Sequence, residues 1–344
     1  MRSRFTPLLV VLASSAFAVG GFAQDEAGPS ASLQYKSYKK WEIILPNETF
    51  TPVAGAIKLP HSEGEGFATE IDGTALAIDS NGDGKVDVKA KGASALVTLK
   101  AKTTEGNEFK YSLRLVNAGT WRWSAGGAMV GRLDGETIKL IDQNNNGRYD
   151  DFGVDAMIIG NGDAASFLSK IVSVNGKLYN LSVSSDGSSV TTTPYVGETG
   201  RLDLASGFET KGKLLSAIVR GNDDAVSFDL AGASKGMLVP VGEYRLVSGY
   251  AAKGSESVRI KGGDRRMKVG IDSDFSLEWG GPIQAEFTYT REGDKVTFDP
   301  AKVKYVGRAG ETYVDWVPDA TSPQFLVYKK DSRKKIAEAR FGGC

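Results

Sequence analysis

Two short runs of oxygen-bearing side chains are the most sharply patterned chemistry in this sequence. One reads Ile78-Asp79-Ser80-Asn81-Gly82-Asp83-Gly84-Lys85-Val86-Asp87. The other reads Ile141-Asp142-Gln143-Asn144-Asn145-Asn146-Gly147-Arg148-Tyr149-Asp150 and lies 63 residues further on. Asp-Gly precedes both, at Asp72-Gly73 and Asp134-Gly135, and the Thr, Ile, Asp, Asn, Gly and final Asp recur in register. Recurrence at a fixed offset indicates duplicated loops on related scaffolds, and two copies are too few for a solenoid. Oxygen side chains at alternate positions, wrapped by a tight turn that glycine permits, converge on one point. Calcium takes six to eight such oxygens at ~2.3–2.6 Å, whereas magnesium wants a smaller octahedral shell with more water. The same residue types also build ordinary turns, because Asn and Asp side chains bond the nearby backbone.

These runs resemble the D-x-[DN]-x-[DN]-G calcium loop of EF-hands and dockerins. The resemblance implies, in the first loop, Asp79, Asn81, Asp83, the Lys85 carbonyl and Asp87 as ligands. In the second it implies Asp142, Asn144, Asn146, the Arg148 carbonyl and Asp150. Both loops depart from the EF-hand at the twelfth position, where a bidentate Glu is replaced by Ala90 and Gly153. Asp151 or Asp155 is available to replace it in the second loop; the first loop has no acid between Asp87 and Glu105. Fewer charged ligands imply affinities of ~10⁻⁴–10⁻³ M, the range of extracellular modules. The preceding Ala75-Leu76-Ala77-Ile78 is strand-like, so the loops are expected between strands. The ion is expected to be structural. Asp79→Ala with Asp142→Ala is expected to remove its effect and leave the ion-free protein little changed.

Other reactive groups are sparse. The single His, His61, sits in the polar Pro60–Gly66 stretch and is expected on a surface loop. No G-x-S-x-G elbow, GxGxxG or Walker-type loop is present. Among 42 acids no Asp/Glu pair stands out as a glycosidase dyad; a carbohydrate-active enzyme using paired carboxylates is the second alternative, after a carbohydrate-binding protein. Trp121 and Trp123 share one strand face; with Trp41 they are candidates for stacking on sugars, against the alternative of core burial. The single Cys, Cys344, follows Gly342-Gly343 at the end of the sequence; it excludes an intramolecular disulfide and leaves a disulfide-linked dimer open. The basic run Lys329–Lys335 reads as a solvated hairpin tip. Asn47-Glu48-Thr49 and Asn180-Leu181-Ser182 are glycosylation sequons, meaningful only on a eukaryotic export route.

The frame for these residues is read from composition and period. The chain has 344 residues, with 42 Lys+Arg against 42 Asp+Glu, and so lacks the basic footprint of a nucleic-acid binder. Residues 1–23 read as a secretory signal: Arg2 and Arg4, an uncharged run from Pro7 to Phe22, and the small-residue pattern Gly21-Phe22-Ala23. No later stretch has the ~18 apolar residues of a spanning helix. The product is therefore expected to be exported, to the periplasm, the cell surface or the medium. Its expected role is a non-enzymatic structural or binding module, with a cell-surface protein or a carbohydrate as partner.

Beyond a polar lead-in at 24–40, expected to be mobile, period-2 alternation dominates. Tyr111, Leu113 and Leu115 alternate with Ser112 and Arg114, and Ile283, Ala285, Phe287 and Tyr289 alternate with Gln284, Glu286 and Thr288. Such alternation gives a strand one apolar face. Asn175-Gly176, Asp186-Gly187, Gly106-Asn107 and Gly293-Asp294 mark hairpin tips. The only helix candidate is short, at Ala164–Lys170. An all-β chain of two or three sandwich or barrel-like units follows, divided at 41–200, 201–275 and 276–344. In the second unit, 239–247 resembles the P-x-G-x-Y-x-L strand of transthyretin-like sandwich modules, which implies Tyr244 and Leu246 in a sandwich core. In the third, 325–341 reads as a terminal hairpin.

Overall fold

The computed structural model describes residues 27–103, 105–293, 295–299, 302–317, 324–329, 332 and 334–340. Residues 1–23, expected to be a signal, and Cys344 lie outside the described residues. The chain is all-β, with no α-helix among the described residues. The helix candidate at 164–170 is instead extended: Ser166–Phe167 pairs with Ala156–Ile159. Its apolar residues, Ala165, Phe167 and Leu168, are core residues of the sheets.

The first half is organised by one five-stranded antiparallel sheet. Its order is Ser166–Phe167, Ala156–Ile159, Glu136–Ile141, Gly127–Leu133 and Gln34–Ser37. Strand side chains alternate between faces, and here both faces are apolar. Leu133, Ile138, Leu140, Met129 and Met157 enter one core cluster, together with Val172, Val174, Tyr179, Leu181 and Val190 of the sheet formed by Ser30–Ser32, Ser189–Pro194, Lys177–Val183 and Ile171–Val174. Ala128, Ile141, Ala156 and Ile158 enter another, with Leu99, Tyr111, Leu113, Leu115, Trp121 and Trp123 of the sheet Thr51–Pro52, Trp121–Ala125, Glu108–Asn117 and Ser94–Lys102. Ile78 and Leu76 of a smaller sheet, Thr69–Asp72, Ala75–Ile78 and Val88–Ala90, join this second cluster. Residues 41–200 thus hold two cores that share a sheet. The expected lead-in is part of the same structure: Ser30–Ser32 pairs with Ser189–Thr191 and Gln34–Ser37 with Gly127–Val130. Polar composition there reflects edge strands, whose outer sides face water.

The second half packs around Leu202, Leu204, Tyr244, Leu246, Ile260, Trp279 and Tyr313. Tyr244 and Leu246 are inside, and Tyr244 Oη donates to the Pro240 carbonyl at 2.8 Å. The large sheet runs Ser227–Asp229, Lys213–Gly221, Gly242–Lys253, Glu256–Lys261, Thr312–Val317, Lys304–Val306 and Gln284–Glu286. It crosses the expected 275/276 boundary, and the strand Thr199–Asp203 straddles the one at 200/201. Alternation identifies strands; it does not identify their partners. Ile283, Phe287 and Tyr289 are also exposed rather than inward-facing. The terminal hairpin forms as expected, Gln324–Tyr328 against Lys335–Arg340. The halves are tied by the Arg259 guanidinium on the Leu45 carbonyl at 3.0 Å and by Lys170 N on the Ala225 carbonyl at 2.8 Å.

Adjacent residues of the shared sheet serve opposite cores, Leu140 on one side and Ile141 on the other. Leu140→Ala and Ile141→Ala are each expected to cost about 2–5 kcal/mol. Urea unfolding followed by tryptophan fluorescence should show both variants shifting the same transition rather than splitting it.

Candidate functional site

Both acidic loops connect antiparallel neighbours. The first joins Ala75–Ile78 to Val88–Ala90, and Asp87 N donates to the Ile78 carbonyl at its base. The second leaves Glu136–Ile141 and returns as Ala156–Ile159. The frame is strand–loop–strand, as the preceding residues indicated.

Inside each loop the same ladder of short side-chain-to-backbone bonds recurs. The third-position Asn Oδ1 accepts from the fifth-position N–H: Asn81 from Asp83 at 3.0 Å, Asn144 from Asn146 at 3.2 Å. The fifth-position oxygen accepts from the seventh: Asp83 from Lys85 at 2.9 Å, Asn146 from Arg148 at 2.8 Å. The sixth-position glycine donates to the first carboxylate: Gly84 to Asp79 at 2.8 Å, Gly147 to Asp142 at 2.6 Å. Asp79 also accepts from Asn81 N and Gly82 N, and Asp142 from Asn146 N. Both first carboxylates are fully buried, while Asn81, Asp83 and Asn146 face water. Removing Asp79 or Asp142 therefore strips the loop of its internal acceptor. The double alanine variant would weaken the ion-free protein as well, contrary to the expectation from sequence.

The ninth positions behave differently from the first, third and fifth. Asp87 turns back to Ser80, accepting from its N at 2.8 Å and its Oγ at 3.0 Å. Asp150 is held by the Arg148 guanidinium through two bonds, 3.1 and 2.9 Å. Asp151 takes the inward place in the second loop: its Oδ2 accepts from the amides of Asn144 at 2.9 Å and Asn146 at 2.6 Å. Asp155, 1% exposed, accepts from Gln143 N and Asp151 N, both at 3.1 Å.

The second loop also carries residues that the motif does not specify. Tyr111 Oη donates to Asp142 at 2.7 Å. Asn145, with φ of 63°, accepts from Ala125 N at 2.9 Å and donates to the Thr49 carbonyl and Thr51 Oγ1, both at 3.1 Å. Gln143 accepts from Asn47 N and donates to the Val154 carbonyl. These partners lie up to 96 residues away, and no local signal reveals them.

The acids of this loop are only partly compensated: Arg148 pairs with Asp150 and acts on Asp151 and Asp155 without pairing with them. Among the described residues, no Lys, Arg or His forms an ion pair with Asp142, Asp151 or Asp155. Burial pushes Asp142 up to about 6, against the hydrogen bonds from Tyr111 and the loop N–H groups. Burial, then the neighbouring Asp142 charge, pushes Asp155 up to about 8. Tyr111 is driven well above its ordinary value by burial and by the same carboxylate. No group of three or more His, Cys, Asp or Glu converges as a ready-made metal site among the described residues, so a cation here would draw on Asn oxygens and carbonyls as well.

The remaining sequence candidates separate cleanly. Trp121 and Trp123 are 4% and 5% exposed and belong to the core, so they offer no sugar platform. Trp41 is half-buried, with the Arg114 guanidinium 4.1 Å from its ring centre. His61 is half-buried rather than on an open loop; its Nε2 is buried with no hydrogen-bond partner, so no nucleophile is set against that nitrogen. Of the basic turn, Lys329 and Lys334 are exposed, and Lys335 pairs with Glu338 at 2.6 Å. Asn47 and Asn180 of the sequons are both exposed. No protein-family model, curated protein or solved structure matches the chain.

Two predictions follow from this geometry. Asp142 and Asp155 hold protons more tightly folded than unfolded, so without added cation the folded state binds more protons between about pH 4 and 8. Their contribution is fully present below the unfolded value and is lost as pH rises through about 6 and then about 8. Thermal unfolding in EDTA should therefore show the midpoint falling across that window, and Asp155→Asn should flatten the fall. The sixth-position glycines differ in their surroundings. Gly84 has φ of 84° in open space, whereas a Cβ on Gly147, with φ of 78°, would lie 2.6 Å from Pro60 Cδ. Gly84→Ala is expected to cost about 1–2 kcal/mol from backbone strain alone, and Gly147→Ala measurably more by the same denaturation assay.

Proposed function

We propose that this is an exported, non-enzymatic β protein of the envelope, cell surface or extracellular space whose two repeated loops each hold a structural calcium ion. The observation that carries this reading is the second loop. Two buried carboxylates, Asp142 and Asp155, and the nearby Asp151 form no ion pair among the described residues, and Arg148, which acts on Asp151 and Asp155 from a distance, is paired with Asp150. A buried charge costs several kcal/mol unless it is paired or protonated, and a divalent cation supplies the pairing where no Lys or Arg does.

In the second loop the ion would be held by Asp142, Asn144, Asn146 and the Arg148 carbonyl, with Asp151 in place of Asp150. Asp151 already gathers the Asn144 and Asn146 amides, which would turn their oxygens inward on loading. In the first loop the set is Asp79, Asn81, Asp83 and the Lys85 carbonyl, with Asp87 reached directly or through water. The first loop is exposed and the second is set into the core, so the two are expected to load with different affinities. Export rests on residues 1–23 of the sequence.

Thermal unfolding of the chain without residues 1–23, in EDTA, millimolar calcium and millimolar magnesium, tests the reading. Calcium should raise the midpoint and magnesium should not; at a free concentration of 100 times Kd the gain is about 2.7 kcal/mol per site. Asp83→Ala with Asn146→Ala removes two exposed oxygens and should abolish the calcium response with little change in EDTA. An equal response to both cations, or none up to 10 mM, a bound set by weak extracellular sites, would reduce both loops to hydrogen-bonded turns.

A further inference from the structure

The large sheet carries a local irregularity that the calcium reading does not use. Arg259 pairs with Val314 and Ser257 with Val317, so three residue steps on one strand face two on its neighbour. The extra residue is absorbed at Asp315, whose φ is 50°, a left-handed conformation that costs a non-glycine residue free energy. A bulge of this kind shifts the alternation beyond it by one residue and re-aims a side chain.

The side chain re-aimed is Trp316. Tyr313 points into the core, and regular alternation would send Trp316 to the opposite face. Instead its ring centre lies 6.0 Å from that of Tyr305, the cross-strand partner of Tyr313. Trp316 is nonetheless 46% exposed, and every other tryptophan is buried or half-buried. It lines, with Phe208 and Ile283, a cleft of about 520 Å³, which falls within the roughly 300–1,000 Å³ of small-molecule sites.

The lining combines aromatic and charged side chains. Lys253 and Glu256 are cross-strand partners at the end of the Gly242–Lys253 and Glu256–Lys261 hairpin. Glu256 shares the face of Val258 and Ile260 by alternation, and its carboxylate has no hydrogen-bond or ion-pair partner among the described residues. Also in the lining, Glu209 is held by Arg308 at 2.8 Å and Lys211 is exposed. With Arg308 and its second partner Glu278 included, three cations (Lys211, Lys253 and Arg308) face three carboxylates (Glu209, Glu256 and Glu278), which favours a neutral ligand over an anion or a cation. An exposed indole face takes the C–H face of a sugar ring, and a free carboxylate and ammonium beside it take its hydroxyls.

We propose that this cleft binds a neutral saccharide, with one ring stacked on Trp316 and hydroxyl groups bonded to Glu256 and Lys253. The binding is independent of the loops at 79–87 and 142–150.

The test titrates the chain without residues 1–23 with cellohexaose, laminarihexaose, xylohexaose, mannohexaose and chitohexaose, by calorimetry and tryptophan fluorescence. At least one is expected to bind in the millimolar range or tighter. Trp316→Ala should weaken it at least about tenfold, as for loss of a central aromatic anchor. Its unfolding midpoint should stay near that of the parent, because the indole is half exposed. Trp316→Phe should restore part of the affinity, and Glu256→Gln should weaken binding while leaving the ring-stacking fluorescence change. Binding that survives Trp316→Ala, or no binding of any of the five up to 10 mM sugar, a bound about tenfold above a 1 mM dissociation constant, overturns the proposal.

Discussion

Asp142 is the group on which the first half of the chain converges. Its buried carboxylate accepts from its own loop and from Tyr111, a core residue of the neighbouring sheet. The adjoining Gln143 and Asn145 reach Asn47, Thr49 and Thr51 on one side and Ala125 on the other. A polar loop in the middle of an apolar structure is tolerable only when each buried donor and acceptor finds a partner. Here the hydrogen bonds that satisfy the loop are also those that fix the segment 47–51 and the strand Trp121–Ala125 against the central sheet. The acids Asp142, Asp151 and Asp155 are left without an ion pair among the described residues.

The two loops share a skeleton and differ in setting. Position for position, the third and fifth residues cap the backbone two residues ahead in both, so the turn is encoded locally. The first loop is a hairpin tip whose residues 81–87 are exposed. The second brings Asp142, Gln143, Asn145 and Gly147 inside. One local geometry thus buries its first carboxylate in both places but leaves the rest of the loop in water in one and sets it against the core in the other, where burial pushes Asp142 up.

What the sequence made legible follows the range of the forces involved. Hairpins at Asn175-Gly176 and Asp186-Gly187, the inward Tyr244 and Leu246, and the loop ladders depend on neighbours a few residues apart, and all were readable. The double-sided sheet was not, because Ile138 to Ile141 reads as a nearly continuous apolar run whose two destinations lie in distant strands. The short Ala164–Lys170 run was too brief for periodicity to separate helix from strand. Trp121 and Trp123 had the right type for a sugar platform but lie on the inner face. Trp316, the exposed one, owes its direction to a bulge that only pairing reveals. That Asp151, and not Asp150, receives the Asn144 and Asn146 amides goes with Arg148, whose guanidinium holds Asp150.

The continuity of the large sheet across residue 275 has a consequence for anyone dividing this chain. The strand Glu256–Lys261 is hydrogen-bonded on one side to Gly242–Lys253 and on the other to Thr312–Val317. A fragment ending near 275 would leave that second side open, a row of free N–H and C=O groups beside Val258 and Ile260. Such an edge templates pairing with other chains. The C-terminal third of the sequence therefore acts, among other things, as the guard that keeps the middle third from aggregating.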